Sequence, residues 1–386
     1  MLDPIKPFYF DLTDSERQEV LEATDRMLQS GQLMLGPETT AFEASFADFI
    51  GTEHAVSTST GTSALEMIFR AFNIEERKVA VPTNTNFATV AAIMHAGGTP
   101  LLLDMDADTF MPTADMLAGC IREHPDLAGA VWVHIGGLIA PDFVECVGML
   151  RERGMFMVED AAHAHGSAIA EGRAGALGDA AAFSFFPTKV MTTLEGGMIT
   201  TNHRFIDEAA RSLRNQGKGG AKFGNDHTDL GNSWRLLEFA AALGNVQLRK
   251  LPDMVRRRET ACRRLVPHLE RAGIDFCRFD HMEAFSGYKL ILRLSPDDAR
   301  PADEIKAAAR EMGVIFGGGV YDKPCHLQPV FQGLTFDRQR LRTAETWCPR
   351  HICPPITSGT TDRDVEAIGE CLGALFSAAV HTGQSA

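Results

Sequence analysis

The stretch AAAFSFFPTKVMTTLEGGMITTN, residues 180–202, contains two short apolar runs, AAAFSFF and GGMITTN, on either side of a single lysine, Lys189. Similar runs occur earlier in the chain, and helix-like segments such as residues 86–96 and 140–153 separate several of them. Those earlier runs are KVAVP (78–82), TPLLLDM (99–105), GAVWVHI (129–135) and GMFMVED (154–160). Continuous apolar strands that alternate with helices are typical of a largely parallel sheet with helices on both faces. The pattern therefore predicts an α/β fold.

The length and the order of the segments predict two domains. A chain of 386 residues exceeds what a single hydrophobic core usually supports. We expect a large α/β domain over residues 1–250, with an N-terminal helix that starts at a capping box of Thr13 and Glu16. A smaller α+β domain is expected over residues 251–386. A long helix, or two helices separated by a kink or break at Pro252, is predicted within residues 236–269.

Composition and charge argue against several classes of protein. The formal net charge of −14 supplies no basic field to attract nucleic acid. No apolar run approaches the roughly 18 residues that a membrane helix needs, and no secretion signal is predicted at the N-terminus. The eight cysteines include no CxxC pair, and CPRHIC (348–353) is interpreted as an ordinary loop rather than a metal site. We therefore expect reduced thiols, a cytoplasmic location, no membrane contact and no metal.

Three polar features fall where an open α/β sheet usually binds its ligand, beyond the carboxyl ends of the strands. Asp160 ends one apolar run, Lys189 follows another, and the turn GTSA (61–64), after a polar segment interpreted as a loop, begins a helix. A lysine held among apolar neighbours tends to have a lowered pKa and can attack a carbonyl carbon. Taken alone, each feature also has an ordinary explanation: a helix cap, an ion-pair partner or a surface lysine.

One ligand, pyridoxal 5′-phosphate (PLP), requires all three features together. Its aldehyde needs an amine for a Schiff base, and its pyridine nitrogen needs a carboxylate to stay protonated. Its phosphate needs hydroxyl groups and the N–H groups of a helix N-terminus. Lys189, Asp160 and the pair Thr62 and Ser63 fit these three requirements, and Ser184 can add another hydroxyl.

The order and spacing of several sequence blocks resemble the signature blocks of the DegT/DnrJ/StrS family of PLP-dependent aminotransferases, which mostly act on keto-sugars attached to nucleotides. The blocks are GTSAL (61–65), VEDAAHAHGS (158–167), GDAAAFSFFPTK (178–189), EGGMITTN (195–202), LRNQG (213–217), LGNSWRLLEFAAALGNVQL (230–248) and HLQPVF (326–331). The resemblance implies an aspartate-aminotransferase-like (fold-type I) large domain with a mostly parallel seven-stranded sheet, and a smaller α+β C-terminal domain. It also implies PLP as cofactor, with pyridoxamine 5′-phosphate present during turnover.

The resemblance further implies roles for individual residues. Lys189 would form the Schiff base with the cofactor, and Asp160 would contact its pyridine nitrogen. His163, where many relatives have glutamine, would lie beside the phenolic oxygen; the alternative is a buried residue that only supports the site. Asn232 matches a position that reaches the phosphate of the neighbouring subunit, which implies a homodimer with shared active sites, although a helix cap is equally compatible. The implied phosphate ligands of the same chain are Thr62, Ser63 and Ser184.

The chain departs from the family pattern in the block VPTNTNFATVAA (81–92). Relatives usually place an aromatic residue that stacks on the cofactor ring where this chain has Asn86. Phe87 is the predicted replacement, with a plain core role as the alternative. The segment HIGG (134–137) also differs from the HLYG of relatives, so neighbouring contacts are expected to differ.

The implied reaction is a ping-pong transamination in which an amino acid, L-glutamate by analogy, donates its amino group to a keto-sugar. The favoured acceptor is a nucleotide-linked 4-keto-6-deoxy sugar. The candidate substrate contacts lie in segments that could also be ordinary connections: Arg214, Lys218, Tyr321, Lys323 and His326.

Several alternatives remain open from the sequence. The acceptor could be an aminocyclitol-type ketone or a keto-sugar without a nucleotide, or the chain could be a non-catalytic PLP-binding regulatory protein. A sugar 3-dehydratase on the same scaffold has histidine in place of the lysine, so Lys189 argues against that activity.

Overall fold

The computed structural model describes residues 4–219, 226–334 and 337–382, with side chains described as far as residue 376 in the last helix. The α-helices are α1 (Asp14–Ser30), α2 (Pro37–Ile50), α3 (Gly61–Ala71), α4 (Phe87–His95), α5 (Ala114–Glu123), α6 (Phe143–Arg151), α7 (Arg204–Leu213), α8 (Glu238–Arg271), α9 (Ala302–Glu311), α10 (Arg342–Trp347) and α11 (Asp362–Thr382). The strands are β1 (His54–Thr58), β2 (Lys78–Pro82), β3 (Thr99–Leu103), β4 (Leu127–Val133), β5 (Phe156–Asp160), β6 (Ala168–Ile169), β7 (Gly172–Arg173), β8 (Ala180–Ser184), β9 (Gly197–Thr201), β10 (Asp275–Phe276), β11 (Leu292–Arg293) and β12 (His351–Ile352).

The central sheet has seven strands in the order β1-β9-β8-β5-β4-β2-β3. β9 pairs antiparallel with both β1 and β8, and all other neighbours in this sheet are parallel. The predicted α/β fold with a mostly parallel seven-stranded sheet is therefore confirmed. Because β5 and β8 are parallel neighbours, their carboxyl ends, which carry Asp160 and Ser184, open on the same edge of the sheet.

Both faces of the sheet are buried, which explains why its strands have continuous apolar sequences. Along β2, Val79 and Val81 pack in one cluster with residues of α3, α4 and α7. Ala80, between them, faces the other cluster, which includes Phe42 of α2 and Leu248 of α8. Alternation along a strand sends successive side chains to opposite layers, so each run must be apolar at every position.

Local signals predicted the first helix correctly. The side chain of Thr13 accepts a hydrogen bond from the Glu16 backbone N–H (3.3 Å), and the Glu16 carboxylate accepts one from the Thr13 N–H (2.7 Å). The helix ends at Gly31, whose φ of 70° lies in the left-handed region that glycine adopts without strain.

The prediction for the polar segment after residue 56 was wrong, because its first residues belong to β1. Ser57 and Thr58 are fully buried in this edge strand. Both are satisfied by hydrogen bonds: the Glu43 carboxylate of α2 accepts from the backbone N–H (3.0 Å) and hydroxyl (2.7 Å) of Ser57, and the Thr58 hydroxyl donates to the Thr60 carbonyl (3.3 Å). The CPRHIC segment is likewise not only a loop, because His351 and Ile352 form β12.

The remaining part of the chain combines a small sheet with helices. α8 runs from Glu238 to Arg271 and contains both Pro252 and Pro267, so the single long helix is confirmed and the alternative of a break at Pro252 is wrong. β10, β11 and β12 form a three-stranded antiparallel sheet, and α9 and α11 follow the predicted segments. The division of the chain at residue 250 falls inside α8 and stays a prediction. Among the described helices, none is long and apolar enough to cross a membrane.

Candidate active site

A cavity of about 460 Å³ opens at the carboxyl ends of β5 and β8. Its wall includes the start of α3, the residues around the start of α4, the loop after β8, and a loop from the C-terminal part of the chain. It brings together five of the predicted site residues, namely Thr62, Asp160, His163, Ser184 and Lys189, and one predicted substrate contact, Tyr321.

Lys189 lies in a turn after β8, where its backbone N–H donates to the Phe186 carbonyl (3.0 Å). Burial lowers the pKa of Lys189 to about 8, while the Asp160 carboxylate acts in the opposite direction and the Lys289 ammonium lowers the pKa further. The ammonium lies 5.1 Å from the ring centroid of Tyr288. At pH 7 about a tenth of this amine is therefore neutral, far more than for an ordinary lysine, and the neutral form is the one that attacks a carbonyl carbon.

Asp160 ends β5 and is held in a fixed orientation. Its Oδ2 accepts a hydrogen bond from the Thr89 hydroxyl (2.7 Å), and its Oδ1 accepts one from the Ala162 backbone N–H (3.2 Å). The Thr89 hydroxyl is in turn 2.8 Å from that of Thr85. A buried carboxylate whose orientation is fixed by hydrogen bonds from neighbouring groups is suited to bind a protonated ring nitrogen.

The N-terminus of α3 packs tightly against the strands that flank it. Thr60 is the N-cap, and its side chain accepts a hydrogen bond from the Ser63 backbone N–H (3.0 Å). A Cβ on Gly61 would lie 2.9 Å from the Ser184 Cβ, and one on Gly197 would lie 2.4 Å from the Thr60 carbonyl oxygen. Only glycine fits at these two positions without a shift, and Gly61 and Thr62, the first two residues of the helix, line the cavity.

Ser63 and Ser184 differ in their surroundings, although both are predicted phosphate ligands. Ser184 lines the cavity together with Thr62. Ser63 is buried, and its hydroxyl lies 2.5 Å from that of Thr58 and donates to the Thr60 carbonyl (2.9 Å) within the cap. A direct contact between Ser63 and phosphate stays a prediction.

His163 lies between two tyrosine rings. Its ring is 4.3 Å from that of Tyr288 and 5.9 Å from that of Tyr321, in both cases nearly parallel. Its Nδ1 accepts a hydrogen bond from the Gly136 backbone N–H (3.3 Å), and its Nε2 lies 3.3 Å from the Tyr321 hydroxyl. Burial, followed by the charges of Lys189 and Lys289, holds the pKa of His163 well below its usual range. The imidazole is therefore neutral, with its proton on Nε2.

The prediction that Phe87 covers the cofactor ring is wrong, because Asn86 and not Phe87 lines the cavity. Asn86 lines the cavity and caps α4, where its side chain accepts a hydrogen bond from the Ala88 N–H (2.9 Å). Phe87 points away from the cavity, is 48% exposed, and stacks on Phe331 at 5.6 Å between ring centroids. The phenylalanine and tyrosine side chains in the cavity wall are Phe186, Tyr288 and Tyr321 instead.

Four other predicted residues lie outside the cavity wall of their own chain. Arg214 is buried and pairs with Glu43 (2.5 Å), which ties α7 to α2. His326 is buried between Thr83 (2.7 Å) and Glu345 (3.0 Å). Lys323 and Asn232 are exposed. A fifth, Lys218, is half-buried and also lies outside the wall. Substrate contacts for Arg214, Lys218, His326 and Lys323, and a contact of Asn232 with the neighbouring subunit, stay predictions.

Sequence reasoning missed several residues that line or support the cavity. Tyr288 was not singled out in the sequence, and Thr89 lies within a quoted block without an assigned role. Glu195 and Gly319 also line the wall. The polar residues that follow apolar runs gave a usable signal, whereas nothing in the local sequence around Tyr288 indicated a position beside Lys189.

These residues fit PLP. A buried amine with a lowered pKa faces a carboxylate that is oriented by Thr89, and the N–H groups of α3 open beside Ser184. Within the described ranges, no group of histidine, cysteine and acidic side chains is arranged to hold a metal ion.

Comparisons with known proteins agree with this site. The model of the DegT/DnrJ/EryC1/StrS aminotransferase family matches residues 14–373. The GDP-perosamine synthase of Caulobacter vibrioides is 30% identical over 362 residues, covering 92% of this chain and 94% of the relative. The spore coat polysaccharide biosynthesis protein SpsC of Bacillus subtilis is 29% identical over 372 residues, with the same coverage. The S. venezuelae DesV structure, a complex with a ketimine intermediate, is 27% identical with a TM-score of 0.86 and covers 96% of this chain and 98% of its own.

Proposed function

Because the chain belongs to the DegT/DnrJ/EryC1/StrS aminotransferase family, we propose that it transfers an amino group from L-glutamate to a nucleotide-linked 4-keto-6-deoxy sugar. The protein is a PLP-dependent sugar aminotransferase. The observation that carries the proposal is the pairing of a lysine of lowered pKa with an oriented carboxylate, Asp160, in one cavity. The specific donor and acceptor are inferred from the relatives.

The residues of the site divide the chemical work. When bound, PLP supplies an aldehyde that combines with amines and a ring that accepts electrons. Lys189 would hold the cofactor between reactions. Once the donor amine has replaced it, its neutral amine would take a proton from the donor Cα as general base and deliver one, as general acid, to the cofactor carbon that carried the aldehyde. Asp160 stabilises the protonated ring nitrogen. Neutral His163 can donate from Nε2 to an oxygen on the ring, and the N–H groups at the start of α3 bind phosphate.

A nucleotide-linked sugar is the favoured acceptor because the relative from Caulobacter vibrioides is named as a GDP-perosamine synthase. An aminocyclitol-type ketone, or a keto-sugar without a nucleotide, keeps the same chemistry and is the second candidate. A non-catalytic PLP-binding regulatory protein is disfavoured, since it has no need for a proton-transferring lysine with a lowered pKa.

A homodimer with shared active sites forms part of the proposal. Asn232 is exposed and absent from the cavity wall of its own chain, which suits a contact with a second copy. The neighbouring Leu230 and Leu237 are 88% and 60% exposed, and Phe186 at the cavity rim is 44% exposed. Large apolar side chains grouped around a site favour burial against a partner. We place the protein in the cytoplasm, where its cysteines, all free in the described structure, stay reduced.

The visible absorption spectrum of the purified protein with PLP, before and after addition of L-glutamate, tests the proposal. We expect a yellow band that bleaches to the pyridoxamine form, after which a panel of keto-sugars restores it. If the band does not respond to glutamate but is bleached by another amino acid, that amino acid is the donor instead. A band that no amino acid bleaches would favour the regulatory alternative.

A further inference from the structure

Lys289 is a lysine beside the cavity that the roles assigned above leave unused. It follows Tyr288, which lines the cavity, and is itself half-buried. Burial lowers the pKa of Lys289. Among the described residues, the charges of Arg258 and Lys306 lower this pKa further, and no carboxylate is among the groups that raise it.

The surroundings of Lys289 carry an excess of positive charge. Arg258 is buried and donates to the carbonyl oxygens of Gly287 (3.2 Å) and Ile356 (3.0 Å), which are neutral. Lys306 already pairs with Asp303 on α9 (3.2 Å). A partly buried ammonium without an anionic partner is unfavourable, so an anion that enters the cavity gains from pairing with it.

The geometry relates Lys289 to the reacting centre. Its Nζ lies 5.6 Å from the Tyr288 ring centroid, and the Nζ of Lys189 lies 5.1 Å from the same centroid. The Lys289 backbone N–H donates to the carbonyl of Gly136 (3.0 Å), whose own N–H bonds to His163. A Cβ on Gly317 would lie 3.4 Å from the Lys289 Nζ, which places the ammonium at the start of the loop that leads to Tyr321.

We propose that Lys289 binds a carboxylate of the amino-acid donor while the amino group of that donor takes the place of the Lys189 amine. This inference rests on the proposed function, because it names a contact for the donor of that reaction. Both ammonium groups lie within 6 Å of the centroid of one tyrosine ring, so their Nζ atoms are less than 11 Å apart. A dicarboxylic amino acid with its amino group at Lys189 extends a carboxylate toward Lys289 over such a distance. The α-carboxylate and the side-chain carboxylate of a dicarboxylic amino acid supply the same chemistry.

The test compares the wild type with Lys289→Met in the half-reaction, followed by absorbance, with L-glutamate and with L-glutamine. A charged hydrogen bond of this kind corresponds to about a 10- to 100-fold change in affinity. We expect the L-glutamate concentration for half-maximal rate to rise by about that factor, with the maximal rate little changed. Equal losses for both amino acids assign the α-carboxylate to Lys289, and a loss confined to glutamate assigns the side-chain carboxylate.

A second readout needs no reaction. Glutarate, a dicarboxylate without an amino group, is titrated into the protein without cofactor, and its heat of binding is measured by calorimetry. Lys289→Met should weaken glutarate binding, whereas Lys289→Arg should retain it. Lys306→Met is the matched control, since it removes a nearby positive charge that already has a partner on α9.

The outcomes separate this inference from the proposed function. If the wild type binds glutarate through Lys289 but does not react with L-glutamate, L-glutamate is not the donor. The carboxylate-binding role of Lys289 is then still supported. Unchanged glutamate dependence and unchanged glutarate binding in Lys289→Met overturn the inference, whether or not the wild type transaminates.

Discussion

At the scale of single residues, the proposed chemistry depends on the lowered pKa of one ammonium group and on the fixed orientation of one carboxylate. The Lys189 amine is partly neutral because burial lowers its pKa. The Asp160 carboxylate is held in one orientation by hydrogen bonds from the Thr89 hydroxyl and the Ala162 backbone N–H. The sequence predicted both residues from their places at strand ends. It did not predict Thr89 or Tyr288, since the contacts of these side chains arise between segments far apart in the chain.

Lys189 should make stability depend on pH. Its pKa is lowered in the folded state to about 8 from the ordinary 10.5, so the unfolded state binds more protons between these values. The free energy of unfolding should therefore gain a contribution that increases as the pH rises from about 8 to about 10.5. Denaturant titrations of the cofactor-free protein measure it, and Lys189→Met should remove this increase. An identical pH dependence in both proteins would contradict the lowered pKa.

Asp160→Asn should retain PLP but lose most activity. The amide can still accept the Ala162 N–H bond, yet it carries no charge to keep the ring nitrogen protonated. We expect kcat to fall by about 100-fold or more, by analogy with the loss of one electrostatic group in other active sites. Thr89→Val is the milder companion, since it removes one donor and leaves the charge. Full activity of Asp160→Asn would remove this residue from its role.

At the scale of elements, the site depends on how closely the start of α3 meets β8 and β9. A Cβ added to Gly61 would collide with Ser184, and one added to Gly197 would collide with the Thr60 carbonyl oxygen. The helix and the strands therefore approach each other with no room for a side chain at these positions. The apolar runs predicted these strands well because burial on both faces demands apolar residues at each position. The sequence did not predict β1 because Ser57 and Thr58 are polar. The Glu43 carboxylate that accepts a hydrogen bond from Ser57 belongs to α2, a separate element.

Gly197→Ala should destabilise the protein and weaken PLP binding. The new Cβ would lie 2.4 Å from the Thr60 carbonyl oxygen, so the start of α3 must shift. We expect a loss of about 1–3 kcal/mol in the free energy of unfolding, measured by denaturant titration, and a higher Kd for PLP. Gly148→Ala in α6 is the control: nothing lies within 4 Å of its Cβ, and alanine favours a helix. Equal stabilities for both variants would contradict the tight contact.

At the scale of the whole molecule, the proposed homodimer predicts that two inactive variants restore each other. Lys189→Ala should lose its own chemistry, and Asn232→Ala should impair the phosphate site of its partner. In a statistical mixture of refolded subunits, mixed dimers contain one site with an intact lysine and an intact asparagine, so about a quarter of wild-type activity should return. Activity is measured before and after mixing, with sedimentation to give the mass of the particle. No recovery in proven mixed dimers would exclude shared sites.

The amino-acid sequence by itself determined the α/β class, the capping box of the first helix and the selection of Lys189 and Asp160, which the structure brings into one cavity. These depend on local rules: apolar periodicity, capping residues and polar residues at the ends of strands. Tertiary structure alone decided that Asn86 rather than Phe87 faces the cavity, that Arg214 is used in a buried pair with Glu43, and that no carboxylate among the described residues raises the pKa of Lys289. Those outcomes depend on which distant segments pack together, because burial and charge pairing are settled by neighbours in space rather than along the chain.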